Sequence, residues 1–149
     1  MENVGLGKIV EEGQKLAEKR TWVEKGYTEL IEKINIELGK IPDMDEKQIS
    51  YLLREYKYES SPTDYANYKR KVRCNLVFDG DAYLEMVLWK ETAYNWEKEV
   101  INSPTVETIR EFARKLPEML DYFLTELQKS NEINQVAIDT MAELISKIQ

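Results

Sequence analysis

The chain has 149 residues, of which 42% are hydrophobic and 33% are charged, a composition typical of a soluble globular domain. Its 21 lysines and arginines against 28 aspartates and glutamates give a formal net charge of −7, which opposes a polyanion as the partner of the whole surface. Because there is no histidine and Cys74 is the single cysteine, the chain cannot form an internal disulfide, a Cys/His zinc site or a histidine-dependent catalytic triad.

The sequence also shows no segment that is suited to a membrane. The longest uninterrupted apolar run, over residues 86–89, is far shorter than the ~20 residues that span a bilayer. A lone cysteine agrees with a reducing compartment. We therefore expect a cytoplasmic protein without membrane association, folded as a single α+β domain over residues 1–149.

The first third of the chain has the periodicity of a long helix. Its apolar residues recur in alternating steps of three and four from Leu6 to Leu38, which places them along one helix face. Gly13 and Arg20 occupy two positions of this series, and a weak point of the helix is expected near Arg20. Gly39 and Pro42 follow, and glycine favours the left-handed conformation that ends helices, while proline cannot continue one. One long N-terminal helix that ends near Leu38 is predicted.

A second, shorter helix is predicted over about residues 44–56. Asp43 can cap its first turn, and the apolar residues that follow have the spacing of one helix face. These residues are Ile49, Leu52, Leu53 and Tyr56. The stretch 58–67 has no sustained period and is expected to be a loop.

A β-hairpin is predicted over residues 68–90. Apolar and polar residues alternate from Tyr68 to Phe78, and residues 82–90 are rich in strand formers. Asp79 and Gly80 lie between the two runs, and Asp-Gly is a favoured two-residue hairpin turn. The sequence therefore predicts an antiparallel pair of strands with a tight connection.

The predicted turn also fixes which residues face each other. With two residues in the turn, the numbers of opposed residues sum to 159, so one sheet face is apolar and the other has an apolar strip beside a basic one. Opposed pairs under this register include Val72 with Val87, Arg73 with Met86, and Arg70 with Trp89.

Residues 92–101 fit two structures. Tyr94 and Trp96 alternate as in a strand, whereas the charged residues 97–99 also fit a helix that reaches Ile101. We favour a strand that ends before Asn102.

The last third predicts two helices. Ser103 and Pro104 form a favourable helix start, and an apolar seam in steps of three and four then runs from Val106 to Leu127. Pro117 lies within this seam and predicts a kink, because it removes one backbone hydrogen bond without shifting the register. Residues 129–131 allow a break before a last amphipathic helix.

The elements together predict an α+β fold. It has a long N-terminal helix, a short helix, an antiparallel β-hairpin or three-strand meander, and two C-terminal helices packed on one sheet face.

No set of residues predicts a catalytic, cofactor or metal site. Asp79 and Asp81 offer too few oxygens at one turn for a divalent cation, and Cys74 has no histidine partner. On the inward face of a strand, Cys74 is expected to act as a small apolar residue with a raised pKa. We therefore expect a protein that is not an enzyme and uses no cofactor.

One basic segment stands out in this acidic chain. Residues 69–73 carry four cations in five positions, and tyrosines precede them. A basic strand can pair with acidic helices or protect a sheet edge, but cations beside aromatic rings are also how single-stranded nucleic acid is bound. Candidate contacts for an anion or nucleic acid are Lys69, Lys71, Arg73, Tyr65 and Tyr68.

The long helical seams favour a different function. A three-four spacing held over several heptads is typical of helices that pack nearly parallel, within a chain or between chains. Our leading hypothesis is an accessory module that binds a protein partner or forms a homo-oligomer, with a nucleic-acid-binding accessory protein as the alternative. Candidate interface residues flanking the seams are Trp22, Phe112 and Ile145.

Overall fold

A computed structural model describes residues 4–44, 48–60, 67–91 and 96–148 of the chain, and it confirms the α+β class. The described elements, in order, are α1 (Val4–Leu38), β1 (Ile49–Ser60), β2 (Asn67–Val77), β3 (Tyr83–Glu91), β4 (Trp96–Val100) and α2 (Val106–Ile148). The strands form one antiparallel sheet in the order β1-β2-β3-β4. The chain divides into two compact units, Met1–Arg114 and Lys115–Gln149, and α2 contributes to both.

Helix α1 ends where the sequence predicts. The backbone N–H of Gly39 donates to the carbonyl oxygen of Asn35 at 2.9 Å, and the helix stops one residue earlier, at Leu38. A Cβ atom on Gly39 would lie 3.2 Å from that same carbonyl oxygen, so a glycine suits this position.

The predicted short helix over 44–56 is wrong, because residues 49–60 form strand β1. Strand β1 pairs with β2 and has a register shift between Leu52 and Arg54. The residue between them, Leu53, is fully buried. A bulge of this kind interrupts the alternation of a strand, so the apolar residues on either side acquire a spacing of three and four that resembles a helix.

The β2–β3 hairpin is confirmed, but its predicted register is wrong. Observed partners include Val72 with Leu88 and Cys74 with Met86, so their numbers sum to 160 rather than 159. Five residues, 78–82, connect the strands. The predicted turn needs positive φ at both central residues, whereas Gly80 has φ of 70° and no described residue other than glycine has a positive φ.

Because the register differs by one residue, each side chain of β3 lies on the opposite face of the sheet from the one predicted, relative to the side chains of β2. On one side, the helix face, are Val72, Cys74, Leu76, Leu84, Met86 and Leu88. On the other side, the open face, are Ser50, Leu52, Glu55, Lys69, Lys71, Arg73, Asn75, Glu85, Val87, Trp89, Glu91, Trp96, Lys98 and Val100. The predicted apolar strip beside the basic residues is therefore wrong, because Met86 and its neighbours belong to the core.

Both helices contribute to the core of the first unit. The side-chain oxygen of Asn35 in α1 accepts a hydrogen bond from the backbone N–H of Leu84 at 2.8 Å. Tyr27 of α1 and Phe112 of α2 meet edge to face with ring centroids 5.4 Å apart. Val106 and Ile109, in the first turn of α2, are buried as well. The helix face of the sheet is thereby joined to α1 and to the start of α2.

Helix α2 differs from its prediction at its start and in its length. Thr105, rather than Ser103, caps it: its Oγ1 accepts from the backbone N–H of Thr108 at 3.3 Å. The helix then continues to Ile148, so the predicted break at residues 129–131 and the second C-terminal helix are wrong. None of those three residues is a proline or glycine, and the helical ladder runs through them. Pro117 lies inside the helix without ending it.

The expected third strand of the meander is observed as β4, Trp96–Val100. Residues 92–95 of the same prediction lie outside the described residues. With β1, the sheet has four strands where two or three were predicted.

Candidate functional site

Three of the predicted anion contacts lie together on the open face. Lys69, Lys71 and Arg73 occupy alternate positions of β2, so their side chains share one side of the sheet. They line a cleft of about 460 Å³, a size that is common for ligand pockets. The other residues lining this cleft are Gln48, Ser50, Trp89, Glu91 and Trp96. We refer to these eight residues as the basic cleft.

A pair of tryptophans forms one wall of the basic cleft. The rings of Trp89 in β3 and Trp96 in β4 stack with centroids 4.9 Å apart and an angle of 29° between their planes. Trp89 is partly buried, and its indole nitrogen is covered and has no hydrogen-bond partner within the described part of the chain. Trp96 is 61% exposed, so a broad aromatic surface remains accessible to solvent.

The sequence prediction missed these tryptophans because the register differs by one residue. A sum of 159 places Trp89 opposite Arg70, on the face away from Lys69 and Lys71. The observed partner of Trp89 in β2 is Lys71, which brings the ring onto the basic side. A five-residue connection gives a sum of 160, and this register places the ring of Trp89 on the same face as Lys69 and Lys71.

The two tyrosines that were predicted to stack with bases fall outside what the structure describes. Tyr65 lies outside the described residues. Tyr68 lies in β2, where its backbone pairs with Glu59, and its side chain is not among those described. Among the described residues, Trp89 and Trp96 supply the aromatic surface next to the cations.

The three cations of the basic cleft differ in their contacts. Arg73 donates to the hydroxyl oxygen of Ser50 at 3.4 Å. Glu91 is the residue opposite Lys69 in the backbone register of β2 and β3, and it also lines the cleft. Among the described residues, Lys71 has no hydrogen-bond or ion-pair partner, although Glu55 lies opposite it in β1. Lys71 is thus a cation at the centre of the cleft without a fixed anion.

The open face also carries an ion pair between β3 and β4. The Lys98 Nζ lies 3.7 Å from a carboxylate oxygen of Glu85, whose side chain is mostly buried. Between Glu85 and Ser50 lies Asn75, which is fully buried and whose amide has no hydrogen-bond partner among the described residues. The open face therefore has an accessible basic cleft around Lys71 and a buried region around Asn75 and Glu85.

The three predicted interface residues have different surroundings. Trp22 in α1 is 63% exposed, and the Lys25 ammonium lies 5.2 Å from the centre of its ring system. Ile145 in α2 is 58% exposed. Phe112 is only 1% exposed and packs against Tyr27, so it belongs to the core of its own chain and offers no surface to a partner.

Exposure of apolar residues extends along both helices. Every residue in 5–22 of α1 and in 128–148 of α2 is exposed. In α1 the exposed large apolar residues are Leu6, Ile9, Val10, Leu16 and Trp22. In α2 beyond residue 128 they are Ile133, Val136, Ile138, Met141, Leu144, Ile145 and Ile148.

Cys74 has the surroundings that its sequence position predicts. It is fully buried, and burial raises the pKa of its thiol to about 12. Burial, with a smaller contribution from Cys74, also raises the pKa of Tyr27 to about 12. A thiol that stays protonated is a poor nucleophile, so Cys74 serves packing.

Within the described residues, no three histidine, cysteine, aspartate or glutamate side chains are grouped as they would be around a metal ion. No described helix is long and apolar enough to cross a membrane.

Comparisons with known proteins give no relative. No protein-family model, curated protein or solved structure matches this chain. The chemistry of its own residues is thus the basis for a function.

Proposed function

We propose that this protein is a non-enzymatic interaction module that self-associates through the exposed apolar stripes of α1 and α2. The observation that carries the proposal is the complete exposure of residues 5–22 and 128–148, two helical segments that nonetheless keep large apolar side chains at heptad spacing. A soluble monomer rarely exposes continuous apolar surface of this kind.

The spacing within each segment favours a helical partner. Leu6, Ile9 and Leu16 fall on the same stripe of α1, and Met141, Leu144 and Ile148 fall on the same stripe of α2. At a rise of 1.5 Å per residue, the two exposed segments are roughly 27 and 32 Å long. Helices of this length are marginal alone in water and gain stability when the apolar side packs against another helix.

A second copy of the chain fits both stripes. The stripes have the same heptad spacing, so an isologous pairing between copies can cover both. Residues 5–22 carry four cations and three carboxylates, and residues 128–148 carry two cations and three carboxylates. The net charge of each segment is therefore no larger than one, so like-charge repulsion between two copies of the chain is weak.

The test measures the molecular mass in solution. Sedimentation equilibrium of the wild-type chain, from low to high micromolar concentration, should give a mass above that of the monomer, 17.6 kDa. Leu16→Glu in α1 and Met141→Glu in α2 should each shift the equilibrium toward monomer, because each places a charge within an apolar contact. The exposed Gln14, outside the α1 stripe, gives the control Gln14→Glu, which should leave the mass unchanged.

A wild-type chain that remains a monomer at high micromolar concentration would contradict the proposal. Equal effects of Leu16→Glu and Gln14→Glu would also contradict it, because net charge rather than the stripe would then control assembly.

A further inference from the structure

We propose that the basic cleft binds single-stranded nucleic acid, with a base stacked on Trp96 and phosphates held by Lys69, Lys71 and Arg73. This inference is independent of self-association, because all these residues belong to strands β2 and β4 and none belongs to a helix.

The tryptophan pair provides the stacking surface. Trp89 supports Trp96 from below at a centroid distance of 4.9 Å, and the ring of Trp96 remains 61% exposed. A supported aromatic ring loses little freedom when a base stacks on it, and every base has a flat face that can do so. The pair thus recognises an unpaired base with little regard to its identity.

The cations provide the second half of the recognition. Alternate residues of a strand lie roughly 7 Å apart, so Lys69, Lys71 and Arg73 form a straight row beside the tryptophans. Among the described residues that line the cleft, these three are the cations and Glu91 is the one carboxylate. Because the whole chain carries a net charge of −7, this local excess of positive charge marks where an anion can approach.

A single strand fits this arrangement better than a duplex. Bases in a duplex are already stacked on both sides and paired at their edges, so they do not reach Trp96. The acidic remainder of the surface also repels the many phosphates of a duplex that lie outside the cleft. Selectivity for unpaired bases is therefore expected.

The experiment is a fluorescence-anisotropy titration of labelled single-stranded DNA and RNA with the wild-type chain, over a series of salt concentrations. A duplex of the same length and an acidic peptide serve as further probes. Three phosphate contacts predict a slope of about −2 for the logarithm of the binding constant against the logarithm of the salt concentration. The duplex and the peptide should bind at least tenfold more weakly than the single strands.

Variants separate stacking from charge. Trp96→Ala should weaken binding by about 5- to 150-fold and leave the salt slope unchanged, whereas Trp96→Phe should retain part of the affinity. The double change Lys71→Ala and Arg73→Ala should reduce the slope to roughly −0.7, because one phosphate contact remains. The double change Lys8→Ala and Lys19→Ala, which removes two exposed cations from α1, is the charge-matched control and should leave both quantities unchanged.

Several results would overturn the inference. One is a wild-type chain that binds no single strand even at low salt. Others are equal binding of the duplex or the acidic peptide, and equal binding by the wild type and Trp96→Ala. An equal loss for the α1 control variant, Lys8→Ala with Lys19→Ala, and the cleft variant, Lys71→Ala with Arg73→Ala, would show that net charge, not the cleft, determines binding. Circular dichroism of each variant confirms that its fold is retained.

Discussion

Tyr27 and Phe112 meet edge to face, with ring centroids 5.4 Å apart and ring planes at 85°. This contact joins the middle of α1 to the first turns of α2, within the first unit. Aromatic pairs in this geometry are stabilised by the attraction between the electron-rich face of one ring and the edge of the other. The contact makes Phe112 a residue of the core, which separates it from Trp22 and Ile145.

Replacing Phe112 should therefore affect folding before it affects assembly. We expect Phe112→Ala to lower the free energy of unfolding by ~3–5 kcal/mol, because the change leaves a cavity in a close-packed core. Urea denaturation followed by circular dichroism measures this loss. Phe112→Leu keeps most of the volume and should lose less. A loss below 1 kcal/mol for Phe112→Ala, on the order of a surface change, would contradict the assignment.

Ile145 offers the complementary test at the other end of α2. We expect Ile145→Glu to weaken self-association with little loss of stability, because the side chain is exposed in the single chain. Ser146 is the next residue, is also exposed, and lies on a different side of the helix. Ser146→Glu should therefore not change the sedimentation behaviour.

The buried phenol and thiol predict how stability depends on pH. Burial raises the pKa of Cys74 from 9.0 to about 12 and that of Tyr27 from 10.0 to about 12, so the folded state retains protons that the unfolded chain releases. The resulting stability is fully present below pH 9 and is lost as the pH rises toward 12. Urea denaturation at several alkaline pH values measures this fall.

Variants assign this pH dependence to its groups. Tyr27→Phe and Cys74→Ala should each flatten the alkaline fall in the free energy of unfolding, since each removes one titrating group. A pH profile unaffected by both changes would show that other groups cause it. In the native protein at neutral pH, Cys74 should also resist alkylation, because its thiol is buried and protonated.

A substitution of Asn75 is expected to increase the stability of the protein. Its amide is fully buried and has no hydrogen-bond partner among the described residues. An unsatisfied buried polar group costs about 1–3 kcal/mol, so Asn75→Val should raise the free energy of unfolding by part of that amount. Valine also suits a strand. Asn75→Asp should instead lower it, because an ionised carboxylate would be buried at the same position. Thermal denaturation of both variants tests the pair of expectations.

A substitution of Thr105 is expected to lower the free energy of unfolding by less than Phe112→Ala does. Its hydroxyl oxygen accepts from the N–H of Thr108 and its carbonyl accepts from the N–H of Ile109 at 2.9 Å, the contacts of a helix cap. Thr105→Ala should lower the free energy of unfolding by ~1 kcal/mol, and Thr105→Ser should retain most of it. An equal loss from Ser103→Ala, at the position that the sequence suggested, would contradict the assignment.

The long helices were the elements that the sequence predicted best. In α1 the apolar stripe keeps its register to Leu38, although Gly13 and Arg20 occupy two of its positions, and Gly39 marks the end clearly, so periodicity and termination agree. In α2 the same periodicity continues past Lys129, and the weaker break signal there did not prevail over it. Sustained periodicity over many turns is thus a stronger signal than one short polar run.

The sheet was harder to predict because its irregularities alter the spacing. The bulge at Leu53 inserts one residue into the alternating pattern of β1, so the apolar residues of this strand have the spacing of a helix. The pairing of β2 with β3 depended on the number of residues in one connection, which the Asp-Gly pair alone does not determine. The row of cations at Lys69, Lys71 and Arg73 was predictable from alternation within a single strand. Its association with Trp89 and Trp96 was not, because that depends on the register between strands.

The five-residue connection between β2 and β3 has a consequence for how this chain tolerates inherited change. Loss of one residue from positions 78–82 leaves two outcomes: a four-residue connection that keeps the observed pairs, or a slip of one residue between β2 and β3, which keeps five residues in the connection and turns Trp89 toward the helices and Met86 toward solvent. Surface connections usually accept insertions and deletions. Here an in-frame deletion would be accepted only where the four-residue connection holds the observed pairs, because the slip exchanges core residues for cleft residues along the whole hairpin. We therefore expect inherited changes of length in this connection to be rarer than in an ordinary surface loop.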